Sequence, residues 1–443
     1  MSKASQPAVS VDGYTCLTAE NIAIRGARLI DPANELDQVA DISIVDGKIA
    51  TIGDIPAGFS GDVIDGDALV VCPGFFDMHV HLREPGFEHK ETVASGCVAA
   101  VVGGFTGIAP MPNTNPPIDN PGVVNLIREA AAGYPVDVCP IATISADRSG
   151  DTLAEFAELN EVGVKAFSDD GSPVQSANLM RLALEYVKMF DSVIIEHCEE
   201  SSLTRTGVMD EGAISTELGL PGWPSAAEDI DSYRAIRLAE YVGSRIHLAH
   251  VSTAETVRLI RDAKSRGVKV TGEATPHHMT LDSSVIRDYD TNYKVNPPLR
   301  TPKDVEALIE GLADGTIDAI ATDHAPHALD EKEVEFIHAP FGMIGLETAL
   351  GVVITKLVLT ERISLIRAVE ALSVAPRRIM NLPEIPIQVG AVANLTLFDP
   401  NEKWTVDKNR MFSKSSNTPF NEWELNGRAR GVINRGLAWI RSD

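Results

Sequence analysis

Residues 74–86 read GFFDMHVHLREPG. The segment opens apolar and ends polar, the pattern of a buried strand that leaves a core at its C-terminal end. Alternate strand residues point the same way, so His79 and His81 can present two imidazoles to one point. The same design recurs downstream in TGIAPMPN (106–113), VDVCPIATIS (136–145), VGVKAFSDD (162–170), SVIIEHC (192–198), SRIHLAH (244–250), VKVTGEATPHH (268–278) and IDAIATDHAPH (317–327). Helical stretches lie between them, such as VVNLIREAAAG (123–133), TAETVRLIRDAKSRG (253–267) and PKDVEALIEGLADG (302–315). Eight strands alternating with helices predict an α/β chain with a (β/α)8 TIM barrel, whose strand ends converge on one functional face.

The flanks read differently. IAIRGARLI, ADISIVDGKIATIG and DVIDGDALVV before the barrel, and GAVANLTLFDP and EWELNGRARGVINRGLAWI after it, alternate apolar and polar residues between Gly and Asp turns. They predict one small β-sandwich domain built from both chain termini. The expected division is an N-terminal tail at 1–20, a first sandwich part at 21–72, the metal-dependent barrel at 73–384 and a second sandwich part at 385–443.

The bulk composition sets outer limits. The chain has 443 residues, 44% of them hydrophobic and 23% charged, which suits a large globular domain with a smaller companion. With 38 Lys and Arg against 63 Asp and Glu the net charge is −25, a surface that repels phosphate backbones, so no nucleic-acid partner is expected. No apolar run approaches the roughly 20 residues of a membrane span, and Met1–Glu20 lacks the pattern of a signal peptide. Five scattered cysteines without a C-x-x-C pair fit a reducing compartment, so the expected location is cytoplasmic.

His197 and His250 each end an apolar run, as His79 and His81 do. Four neutral imidazoles at one barrel mouth suit zinc. Cys198, one residue past His197, should point to the opposite face and pack. Asp323 ends its strand where a carboxylate can both ligate a metal and shuttle a proton, with His324 and His327 as nearby alternatives for the proton role. Two adjacent metals need a bridging anion; Asp169, Asp170 and, deeper in the strand, a carbamylated Lys165 are candidates, and spacing does not choose between the aspartates. Arg83, Asn113, Asn296 and His327 lie at or just past strand and loop ends. A guanidinium among amides and an imidazole is suited to gripping a carboxylate.

Taken together, D-x-H-V-H-L-R-E-P-G (Asp77–Gly86), M-P-N-T-N-P (Met111–Pro116), S-D-D-G, I-E-H, A-H-V-S, V-N-P-P-L-R, A-T-D-H-A-P-H and A-P-F-G-M-I-G-L-E-T resemble the type I (bacterial) dihydroorotases of the amidohydrolase superfamily. The resemblance implies a TIM barrel with a two-part β-sandwich and zinc as cofactor, two ions per subunit. It implies metal ligation by His79, His81, His197, His250 and Asp323, with Asp170 as the bridge. It implies substrate contacts from His81, Leu82, Arg83, Asn113, Asn296, His327, Phe341 and Gly342, and a catalytic proton carrier in Asp323. The implied reaction is reversible hydrolysis of (S)-dihydroorotate to N-carbamoyl-L-aspartate in pyrimidine biosynthesis. Expected partners are that small-molecule substrate, further copies of the chain in a homo-oligomer, and aspartate transcarbamoylase. The alternatives are another cyclic amidohydrolase, a hydantoinase or allantoinase, against which the R-E-P-G and N-P-P-L-R blocks speak, and a non-catalytic scaffold for aspartate transcarbamoylase, against which the complete ligand set speaks.

Overall fold

The structure, a computed structural model, describes residues 11–442. Six strands precede the barrel: β1 (Tyr14–Thr18), β2 (Asn21–Asp31), β3 (Leu36–Val45), β4 (Lys48–Ile52), β5 (Asp62–Asp65) and β6 (Val70–Pro73). Then come β7 (Phe75–Val80), β8 (Phe105–Pro110), β9 (Asp137–Val138), β10 (Ala166–Phe167), β11 (Val193–Glu196), the small pair β12 (Met209–Asp210) and β13 (Gly222–Trp223), β14 (Ile246–Leu248), β15 (Val270–Ala274) and β16 (Ala319–Ile320). The chain ends in β17 (Leu395–Thr405), β18 (Glu424–Asn434) and β19 (Leu437–Arg441).

The eight strands expected from sequence form the barrel. One parallel sheet runs β7-β8-β9 and another β10-β11-β14-β15-β16. Parallel bridges between Ala142 and Phe167 and between Val80 and His324 join the two sheets into a closed ring. Alanines and medium side chains fill the interior: Ala109, Ala166, Ile195, Ala249, Ala319 and Ala321 belong to one buried cluster. Strand alternation then carries position 197 to the same side as Val193 and Ile195, position 170 to that of Ala166, and position 323 to that of Ala319 and Ala321. Helices on the outer ring are fixed by their caps; Thr253, for example, accepts the backbone N–H of Thr256 ahead of Ala254–Ser265. Among the described residues no helix is long and apolar enough to cross a membrane.

The strands of the two chain ends form the sandwich, in the hydrogen-bonded order β1-β19-β18-β17-β6-β2-β3-β4 with β5 beside β2, while β12 and β13 pair only with each other. The two chain ends meet where β6 pairs antiparallel with β17, Pro73 opposite Leu395. Ile22, Ile24, Ile42, Ile44, Val71, Leu397 and Ile433 share its buried core. One expectation is corrected here. Residues 14–18, assigned to a loose tail at 1–20, form β1, paired with β19 from Tyr14–Arg441 to Thr18–Leu437. The reason is local: without β1, β19 would leave one edge of unpaired backbone groups, and Tyr14 anchors the added strand by an edge-on contact with Phe412 at 6.2 Å. Residues 1–10 of that tail lie outside the described residues.

Candidate metal centre

Two groups of ligand atoms sit at the C-terminal mouth of the barrel. His79, His81 and Asp170 form one; His197, His250 and Asp170 form the other, and within each group the ligand atoms lie within 4.8 Å of one another. Asp170 is common to both. Its Oδ1 is 3.5 Å from His79 Nε2, 3.4 Å from His197 Nδ1 and 3.6 Å from His250 Nε2, and its Oδ2 is 3.7 Å from His81 Nε2. Asp323 closes the first group, its Oδ1 2.9 Å from His81 Nε2 and 3.5 Å from His79 Nε2. All six residues are buried.

The neighbouring candidates go elsewhere. Asp169 turns outward, accepting the backbone N–H of Ile144 at 2.8 Å and of Ser145 at 3.2 Å. Lys165 precedes β10, at the end of the strand away from the mouth. Cys198 packs, its Sγ 3.8 Å from the carbonyl of Glu196. His324 faces Glu91 Oε2 at 3.4 Å, while its backbone carbonyl accepts His81 N–H.

These donors fit a pair of dications. Imidazole nitrogens with hard carboxylate oxygens are the ligand chemistry of zinc and its neighbours. His79 Nε2 is buried without a hydrogen-bond partner, although it is aimed between two carboxylates. The field has the right sign as well. Burial lowers the pKa of His197, yet Asp170 and Glu199 together raise it to about 10. Burial likewise disfavours the charged form of Asp323, but the His81 hydrogen bond and the surrounding imidazoles hold its carboxyl well below the usual range. Around Asp170 and Asp323 the carboxylates hold the charge that a cation would meet.

Beyond the ligands, Asn113 joins the two halves: its Oδ1 accepts from His81 Nδ1 at 2.9 Å and its Nδ2 donates to Asp170 Oδ2 at 3.3 Å. Arg83 lies nearby, donating from Nε to the carbonyl of Pro326 at 3.1 Å, and burial pushes its pKa down to about 10. His327 Nε2 is 2.8 Å from the carbonyl of Phe341, an acceptor only, so the ring proton sits there. Burial, reinforced by Arg83 and the nearby lysines, pushes the His327 pKa down to about 3, so the ring is neutral. Asn296 donates to Glu199 Oε2 at 3.4 Å and leaves a buried Oδ1 without a partner. Gly342 has φ +130°, and a Cβ there would lie 2.7 Å from Ala325 Cβ. Leu82 is buried with its side chain against Gly96, and its carbonyl accepts the Glu84 N–H at 2.7 Å. Arg83, His250 and Asp323 have φ of 64°, 30° and 48°. Three non-glycine residues of one site in the left-handed region mark backbone held in place for function.

Sequence reading missed three neighbours. Glu273 Oε1 accepts from His79 Nδ1 at 2.8 Å, and Glu199 Oε2 lies 3.1 Å from His197 Nε2. His277 is buried beside the centre with an unpartnered Nε2, and burial pushes its pKa down to about 4. The available signal for Glu273 was a charged residue inside the buried strand VTGEA.

The profile of a family described as dihydro-orotase-like matches residues 68–256. A dihydroorotase of Pelotomaculum thermopropionicum is 49% identical over 418 residues, covering 94% of this chain and 96% of its own length. One from Syntrophus aciditrophicus is also 49% identical, over 95% of this chain and all of its own length. Among solved structures, the L-hydantoinase of Arthrobacter aurescens superposes with a TM-score of 0.83 over 96% of this chain and 97% of that chain, at 24% identity, a likeness of fold. Near-half identity carried through both sandwich parts and the barrel places the two ligand groups in a known lineage: the chain belongs to the dihydroorotase family of the amidohydrolase superfamily.

Proposed function

We propose that the chain is a zinc-dependent dihydroorotase, which opens and closes the ring between (S)-dihydroorotate and N-carbamoyl-L-aspartate. The observation that carries the reading is Asp170, one carboxylate shared by two histidine pairs at a barrel mouth, in a chain 49% identical to curated dihydroorotases. Two zinc ions, one on His79 and His81 and the other on His197 and His250, would polarise the ring carbonyl and acidify the attacking water.

The chain's own residues do the rest. The water adds its oxygen to the ring carbonyl carbon, and the bond from that carbon to the imide nitrogen breaks. Asp323 takes the water's proton on a carboxylate oxygen and returns it to the departing nitrogen. Hydrolysis therefore starts from ionised Asp323 and ring closure from protonated Asp323, so base favours the first and acid the second. Arg83, Asn113 and His327 hold the substrate carboxylate and set the face of attack, with Asn296 a further substrate contact; a guanidinium offers two parallel N–H donors to the carboxylate. Leu82, Phe341 and Gly342 complete the substrate contacts, partly through the backbone; glycine at 342 is set by Ala325, whose Cβ would lie 2.7 Å from a Cβ there. The same reading includes a cytoplasmic location, a homo-oligomer and association with aspartate transcarbamoylase.

The test is a paired assay on dihydroorotate and hydantoin, before and after chelation. Dihydroorotate turnover that disappears with chelator and returns with zinc is expected. Preference for hydantoin would assign the chain to the other cyclic amidohydrolases.

A further inference from the structure

Inside the barrel, below the ligand atoms, lies a line of buried polar groups that the reaction does not use. His247 on β14 and Thr271 on β15 are opposite each other in register. Glu273, two residues further along β15, shares the face of Thr271 and reaches across the barrel towards β7. Thr271 Oγ1 is 2.9 Å from His247 Nδ1, His247 Nε2 is 3.1 Å from Glu273 Oε2, and Glu273 Oε1 is 2.8 Å from His79 Nδ1. The backbone N–H of His250 also donates to Glu273 Oε1, at 3.3 Å. His79, His247 and Glu273 are all fully buried.

A buried carboxylate without a cation beside it is costly unless its oxygens receive hydrogen bonds. Glu273 receives three, and each donor is thereby fixed. An ionised carboxylate only accepts, so His247 must carry its proton on Nε2 and His79 on Nδ1. The Thr271 hydroxyl then donates to His247 Nδ1. The lone pair of His79 is left on Nε2, the atom that faces Asp170 and Asp323. Rotation of the His79 ring would break the bond to Glu273 in the barrel interior, so the geometry of that nitrogen is fixed together with its tautomer.

We infer that Glu273 and His247 are positioning residues for the metal centre, which hold His79 with its Nε2 lone pair on the metal side. The inference rests on the metal reading of the site. It assigns the two residues no contact with substrate. Their action is on metal affinity and on turnover, with substrate affinity spared. Glu273→Gln is the sharp variant because its shape is unchanged. An amide offers one accepting oxygen and one donating nitrogen, so it cannot accept from both rings, and one ring must turn or change tautomer.

The experiment titrates cobalt(II) into chelator-stripped full-length protein and follows the visible absorption and the metal-to-protein ratio. Wild type should take up two ions. Glu273→Gln should bind one of them 10- to 100-fold more weakly, the usual cost of losing such a partner, with an altered cobalt spectrum, a lower kcat and a KM within about twofold. Two ions bound as tightly as in wild type, with an unchanged spectrum, would overturn the inference. Should Glu273→Gln not fold, His247→Gln and His247→Leu decide. The glutamine N–H can still donate to Glu273 and should keep affinity within about threefold, whereas leucine should lose it. Equal affinities in the two variants, whether full or reduced, would leave His247 a packing role and overturn its part. If wild type itself binds no metal, the reading of the site fails, and the inference with it.

Discussion

Asp169 and Asp170 are chemically identical and adjacent, yet strand alternation sends them to different tasks. Asp169 satisfies backbone N–H groups of the 144–145 turn; Asp170 faces four imidazoles. Removing Asp170 takes an anion from both ligand groups at once. Asp170→Ala is therefore expected to lose metal and reduce turnover by a factor on the order of 10² or more, as ligand and bridge are lost together. Asp169→Ala should retain metal and lose stability instead, because it strands buried donors. Neither effect should depend on added bicarbonate, since an aspartate bridge needs no carbon dioxide. Metal-to-protein ratios of both variants, with and without bicarbonate, check this; a larger metal loss from Asp169→Ala would reverse the assignment. At this scale the sequence was most legible where the pattern was periodic. H-x-H, I-E-H and L-A-H pick out the four histidines gathered round Asp170 because each ends an apolar run. The choice between Asp169 and Asp170 required family resemblance. Glu273 stayed hidden because its role depends on which ring it meets across the barrel, a distance no local spacing encodes, whereas Glu199 lies only two residues past His197.

The barrel closes where β7 meets the end of β16, and Asp77 makes that joint. Its Oδ1 accepts the backbone N–H of Thr322 at 3.1 Å and of His79 at 3.1 Å. The residue is fully buried, and burial raises its pKa to about 7 against the hydrogen bonds that would lower it. The folded-state value thus lies above the unfolded one. Protonated Asp77 contributes its stability fully below pH ~4, and the contribution fades as pH rises through about 7. Asp77→Asn keeps the one accepting oxygen that both N–H groups use and has no proton to lose. In chelator-treated protein, the melting temperature of Asp77→Asn relative to wild type should climb between pH 4 and pH 7 and level off above. A difference that stays flat across that range would mean that Asp77 is already ionised in the folded state. Elements were legible in kind and order but less so in extent. The apolar runs identified all eight barrel strands, although β9, β10 and β16 pair over only two residues each, because twisted barrel strands leave the ladder early. The β12–β13 pair and β1 went unseen. β12 and β13 are only two residues each, too short for a pattern, and β1 is defined by β19 more than 400 residues away.

On the scale of the whole molecule, barrel and sandwich are not separate cores. Ile30, Val70, Phe398, Val432 and Trp439 from the sandwich strands belong to the same buried cluster as Val80, Phe105, Phe167 and Leu248 from the barrel. The two chain ends were legible as β-rich flanks that pair, but this shared core was not, since it depends on which sandwich face turns towards the barrel. A continuous core couples the two parts in unfolding, so a ligand held only at the barrel mouth should stabilise the sandwich as well. The candidate ligands lie at the ends of β7, β10, β11 and β14, so an unfolded chain has no preformed site and metal is expected to bind the folded state alone. Linkage then gives a stabilisation of RT ln(1 + [L]/Kd), about 4 kcal/mol at a thousandfold excess over Kd. For wild type stripped with chelator, calorimetry with rising zinc should show one transition that moves upward by several degrees as a unit, near 2–4 °C per kcal/mol or somewhat less for a chain of this size. Asp170→Ala, which lacks the carboxylate common to both ligand groups, should respond far less at the same zinc concentrations. Two resolved transitions, with only one moved by zinc, would show that the sandwich and barrel unfold independently despite the core they share.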